Sequence, residues 1–88
     1  MLNNDTRVAL IGIIVDSINV DDVAIDRLNG LLHEYSKYIV GRMGVPYTKK
    51  KISIISVAID APNDIISALS GKLGAIDGVS TKTVYSKA

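Results

Sequence analysis

"LSGKLGAI", residues 69–76, matches "LNGLLHEY", residues 28–35, without a gap. Leu69 falls on Leu28, Gly71 on Gly30, Leu73 on Leu32 and Ile76 on Tyr35. Each segment closes a stretch whose apolar residues recur at the helical period. In the first stretch these are Ala24, Ile25, Leu28, Leu31, Leu32 and Tyr35; in the second, Ile65, Ile66, Leu69 and Leu73. A repeated helix end in a chain of 88 residues points to two similar halves.

The segments around the two helices fit that reading. Arg7 to Val15 is rich in β-branched residues and reads as a strand. "DSIN", residues 16–19, reads as a turn, with Asn19 a candidate helix N-cap and Asp21 and Asp22 suited to the positive end of the helix dipole. The helix runs to Tyr35, and Tyr38 to Tyr47 forms a second strand interrupted by Gly41, Gly44 and Pro46. A basic turn, Tyr47 to Lys51, leads into the clearest strand, Ile52 to Ile59. "DAPND", residues 60–64, starts the second helix with Asn63 or Asp64 as cap, and Val79 to Tyr85 is the last strand. The order βαββαβ, in two related halves, describes an α+β ferredoxin-like sandwich: one antiparallel four-stranded sheet with both helices on one face. The domain is expected over residues 7–88, after a flexible polar leader at 1–6.

Glycines punctuate the repeat. A mid-helix glycine costs about 1 kcal/mol relative to alanine, so Gly30 and Gly71 are expected where a helix closely approaches a neighbour. Gly74 suits a left-handed C-terminal cap with Ile76 packing back, and Gly78 opens the last strand. Ser70-Gly71-Lys72 resembles a fragment of a phosphate loop, but such loops place glycines before a helix, where amides point at the anion. Here they fall late in a helix or after it, and no Ser or Thr follows Lys72. The stretch reads as structural.

Composition narrows the function classes. Hydrophobic residues make up 48% of the chain, more than a domain this small can enclose. Ten basic and nine acidic side chains leave no broad basic field for nucleic acid. There are no cysteines, which excludes disulfides and thiolate metal sites. The apolar run Val8 to Val15 is too short to span a bilayer as a helix. No signal peptide is read, and a cytoplasmic protein is expected.

The excess apolar residues fall on the sheet. Val8, Leu10 and Ile14 share one side of the first strand; Ala9, Ile11, Ile13 and Val15 share the other. In the third strand Ile52 and Ile54 oppose Ile55, Val57 and Ile59. A sheet with helices on one face normally turns polar on the other. This one does not, and a homo-oligomer joined through the sheet face is expected.

Few residues carry chemistry. His33, the only histidine, shares the polar face of the first helix with Asp26 and Asn29. It makes a poor metal site alone, and no metal, cofactor or catalytic residue is expected. Arg42 is a cation within a strand, either blunting a sheet edge or holding a carboxylate or phosphate at a subunit boundary. "KKK", residues 49–51, reads as a solvated hairpin tip. The central strands lack the stacking aromatics of an RNA-binding sheet.

"LLHEYSKYIVGRMGVPY", residues 31–47, and "ALSGKLGAIDGVSTKTV", residues 68–84, resemble the small ACT-like proteins called iron-only hydrogenase system regulators, stand-alone relatives of the effector domain of nickel-responsive repressors. The resemblance covers nearly the whole chain from Arg7. It implies an ACT-like fold, a homo-dimer or homo-tetramer, and a regulatory role. The repressors carry an N-terminal DNA-binding ribbon-helix-helix, to which only a short leader corresponds here. Their nickel ligands are histidines and a cysteine around the second and third strands, where this chain reads "RMGVPYTKKKIS", residues 42–53. Direct DNA binding and nickel sensing are therefore not carried over, and action through a protein partner is expected. ACT-like domains often bind small effectors near the first strand-to-helix turn, which implies Asp16, Ser17 and Asn19 as lining beside the candidates His33 and Arg42. The competing readings are a scaffolding oligomer without ligand and an acylphosphatase-like enzyme. The second has Asn19 in its first loop but lacks the required arginine there.

Overall fold

The computed structural model describes residues 5–87. Its elements are β1 (Thr6–Asp16), α1 (Asp22–Glu34), a short 3-10 turn (Ser36–Tyr38), β2 (Ile39–Tyr47), β3 (Ile52–Pro62), α2 (Asn63–Gly74) and β4 (Val79–Tyr85). The strands form one antiparallel sheet in the order β2-β3-β1-β4. This is the ferredoxin-like α+β arrangement the repeat predicts. β1 starts at Thr6, which pairs with Pro62, one residue before the strand start expected at Arg7; residues 1–4 of the expected leader lie outside the described residues. β3 continues past Ile59 to Pro62. β2 runs unbroken through Gly41, Gly44 and Pro46, with one bulge between Ile39 and Gly41. It pairs only with β3, and an edge strand tolerates a proline that has no N–H to donate.

The core lies between one sheet face and the helices. Ala9, Ile11, Ile13 and Val15 of β1 and Val57, Ile59 and Ala61 of β3 are buried against Leu28, Leu31 and Leu32 of α1 and Ile66, Leu69 and Leu73 of α2. The repeated positions hold equivalent places: Leu28 and Leu69 are buried, as are Leu32 and Leu73, while Tyr35 and Ile76 each pack on the core beyond their helix.

Several local expectations are corrected. Asp21, not Asn19, caps α1, accepting the Ala24 N–H at 2.8 Å. The Asn19 side chain is occupied: its Nδ2 donates to Asp16 Oδ2 at 2.6 Å. α2 has no side-chain cap. Pro62 stands at the N-cap, and Asn63 and Asp64 lie inside the first turn. Gly74 is not a left-handed cap, because α2 ends through Ala75 at φ −80°. Gly30 and Gly71 are exposed, and a Cβ on either would meet nothing within 4 Å. The close approach belongs to Gly74, where a Cβ would lie 3.0 Å from Thr81 Oγ1 of β4. The left-handed backbone belongs to Gly78, at φ +86°, where a Cβ would lie 2.8 Å from Val20 Cγ1.

The stretch that resembles a phosphate loop ties elements together. Ser70 Oγ accepts from Thr83 Oγ1 at 3.1 Å, joining α2 to β4. Lys72 Nζ donates to Tyr35 Oη at 2.9 Å, joining α2 to the C-cap of α1. That hydrogen bond, with the charge interactions of Tyr35 and Glu34, holds the Lys72 ammonium above its usual pKa.

Candidate functional site

The strand registers settle which side chains share the uncovered sheet face. Leu10 sits opposite Ala58 and Val84, and Ile14 opposite Ile54 and Ser80. On the other side of β3, Met43 faces Ser56, Val45 faces Ile54, and Tyr47 faces Ile52. Period-two alternation therefore gathers Val8, Leu10, Ile14, Met43, Val45, Tyr47, Ile54 and Val84 on one surface. Each of these is 40% exposed or more in the isolated chain, Met43 and Val84 reaching 65% and 67%. The sequence reading found the contributions of β1 and β3. It missed those of β2 and β4, although Met43, Val45 and Tyr47 show the same alternation.

The centre of this face is indented. Gly12 faces Ser56 on one side and Lys82 on the other, and its missing side chain leaves a recess of about 300 Å³ flanked by Ile14 and Ile54. The surface thus combines a small hollow with apolar knobs that could fill such a hollow.

At one end of the sheet three loops converge. The Asp16 N–H donates to Gly78 O at 2.7 Å, and the Ser17 N–H donates to Lys51 O at 3.0 Å. The Asp16 carboxylate accepts from Asn19 Nδ2 and from the Ile18 and Asn19 N–H groups, at 2.6, 3.0 and 3.4 Å. These bonds, the Asn19 side chain's first, hold its pKa below the usual carboxylate value. Asp16 and Asn19 therefore build the turn, and the Asp16 carboxylate and Asn19 Nδ2 already have partners. Ser17 does line a recess of about 240 Å³ with Ile18, Pro46, Thr48 and Lys51, beside Ile52 at the rim of the open face. Lys51 enters it from a left-handed backbone at φ 56°, a position that reading the hairpin as merely solvated did not suggest.

His33 and Arg42 come together elsewhere. With Asn29, Leu32, Ser36 and Ile39 they line a cleft between α1 and β2. Among the described residues, the five candidate effector residues are divided: Ser17 lines one recess, His33 and Arg42 another, and Asn19 a third. Among the described residues no three His, Cys, Asp or Glu side chains are grouped to hold a metal ion, and no helix is long and apolar enough to cross a membrane.

A βαββαβ chain folded as a β2-β3-β1-β4 sheet under two helices is a ferredoxin-like domain, the architecture that ACT-like domains share. A family model described as "TM1266-like: Iron-only hydrogenase system regulator, putative" matches residues 7–83, and the chain belongs to this family. It is 39% identical to the uncharacterized protein TM1266 from Thermotoga maritima, whose solved structure matches it at a TM-score of 0.86 over 93% of this chain and 99% of that one. An unknown protein from Galdieria sulphuraria matches at 0.65 with 12% identity, covering 98% of this chain and 53% of that one. A formyltetrahydrofolate deformylase from Pseudomonas putida KT2440 matches at 0.59 with 13% identity, covering 88% of this chain and 28% of that one. These last two share the fold alone. No curated protein matches the sequence.

Proposed function

We propose that the chain is a regulatory protein that works as a homo-oligomer joined through the open face of its sheet, and that it acts by binding rather than by catalysis. The observation that carries this reading is the row of exposed apolar side chains on all four strands of that face. A second copy is the occupant that fits. At strand spacings of about 4.8 Å and a rise of about 3.3 Å per residue, such a face covers roughly 500 Å² per subunit. Two copies would bury roughly 1,000 Å², about the threshold a biological interface clears and just below the range of about 1,200–2,000 Å² for stable ones. A two-fold contact sets the same patch against itself, and this patch holds both the Gly12 hollow and the Leu10 and Ile14 knobs.

A small effector would sit at the Ser17 recess, which opens at the rim of that face, so that occupancy bears on assembly. The near balance of ten basic and nine acidic residues favours action through a protein partner over direct contact with DNA. Sedimentation equilibrium of the wild type and Ile54→Lys tests the assembly. The wild type should sediment as a multiple of the subunit mass at micromolar concentration, and the variant as a folded monomer. A monomeric wild type would refute the proposal.

A further inference from the structure

The cleft holding His33 and Arg42 lies apart from the sheet surface and the Ser17 recess. β2 is an edge strand, and Arg42 pairs with Val57, whose side chain is buried under the helices. Arg42 therefore projects to the helix side of the sheet, towards α1. There Asn29 and His33, one turn apart on α1, and Ser36 in the turn that follows close a cleft of about 390 Å³. Leu32, which is buried, and Ile39, half-buried, give it an apolar lining.

Four features make this cleft suited to a ligand. Each of its polar residues can present a hydrogen-bond donor: guanidinium, imidazole, amide and hydroxyl. No carboxylate is among its lining residues. Among the described residues, no hydrogen bond or ion pair within the chain engages the side chains of Asn29, His33, Ser36 or Arg42. The guanidinium matches the planar, two-oxygen geometry of a carboxylate or phosphate. We infer that the α1–β2 cleft is a second ligand site, taking a small oxyanion-bearing molecule whose charged head meets Arg42 and His33 and whose body rests on Leu32 and Ile39. The site is complete within one subunit and does not depend on the sheet-face assembly.

The test is an NMR titration of the ¹⁵N-labelled protein with two probes, inorganic phosphate and isovalerate, at constant ionic strength and pH. Saturable shifts confined to residues 29–42 are expected with at least one probe. Saturation by isovalerate alone identifies a carboxylate ligand, and saturation by phosphate alone a phosphate; either outcome supports the site. Arg42→Gln, at an exposed position, should weaken the apparent affinity at least tenfold while leaving the rest of the spectrum in place. No saturable shift with either probe, or saturation unchanged in Arg42→Gln, would overturn the inference. The same samples report their tumbling time, so a failed site and a failed assembly would be distinguished.

Discussion

Both faces of the sheet carry rows of aliphatic side chains, with Ser56, Ser80 and Lys82 added on the open one, and the two rows meet different fates. On one, Ile11, Ile13, Val57 and Ile59 are sealed under α1 and α2. On the other, Leu10, Ile14, Ile54 and Val84 have no covering element among the described residues. Folding the monomer accounts for the first set and leaves the second unexplained. Stability of the subunit therefore resides on one side of the strands, and the proposed assembly would use the other.

The sharpest way to break this comparison is truncation on each face. Leu69→Ala on the covered side should lower stability by about 2–5 kcal/mol, read by urea denaturation. Leu10→Ala, made in the Ile54→Lys background so that the open face is free, should change stability by less than about 0.5 kcal/mol. Equal costs would mean that the open face contributes to the subunit fold.

Backbone substitutions extend the contrast to the helices and the converging loops. Gly78→Ala meets both a left-handed φ and Val20 Cγ1 at 2.8 Å, and should destabilise by about 1–3 kcal/mol. Gly30→Ala and Gly71→Ala enter open space on exposed helix surface, and each should stabilise by about 0.5–1 kcal/mol. Thermal melts of the three variants would rank them.

Two smaller effects depend on pH. The raised Lys72 pKa means that its bond to Tyr35 contributes fully below the unfolded lysine value of about 10.4. The contribution is lost as pH rises through the higher folded value. The melting temperature of Tyr35→Phe should therefore lie below that of the wild type near neutrality and converge on it in strong alkali. Asp16 has the opposite sign. Its lowered pKa gives a contribution that is full above about 3.9 and lost as pH falls through the lower folded value. Asp16→Asn should flatten the acid limb of the melting curve.

Much of the fold was legible because the signals were local and periodic. The Leu28–Tyr35 and Leu69–Ile76 repeat, the alternation in β1 and β3, and the glycine and proline content of the edge strand each correspond to an observed element. What escaped depended on tertiary partners. Asn19 looked like a cap until its amide was found on Asp16. Gly74 looked like a turn residue until Thr81 was found against it, while the left-handed turn fell to Gly78. For the candidate sites, the sequence named Asp16, Ser17, Asn19, His33 and Arg42. It could not show that Ser17 lies beside Lys51, or that His33 and Arg42, nine positions apart, close one cleft.

The central claim is that the open face is covered by a second copy of the chain. The absence of cysteine permits a direct measurement: maleimide labelling of single-cysteine variants Ile54→Cys, on the face, and Val23→Cys, at an exposed position of α1. If the face is an interface, Ile54→Cys should label many-fold more slowly than Val23→Cys at micromolar protein and speed up on dilution. Equal labelling rates at every concentration would show a face open to water and contradict the claim.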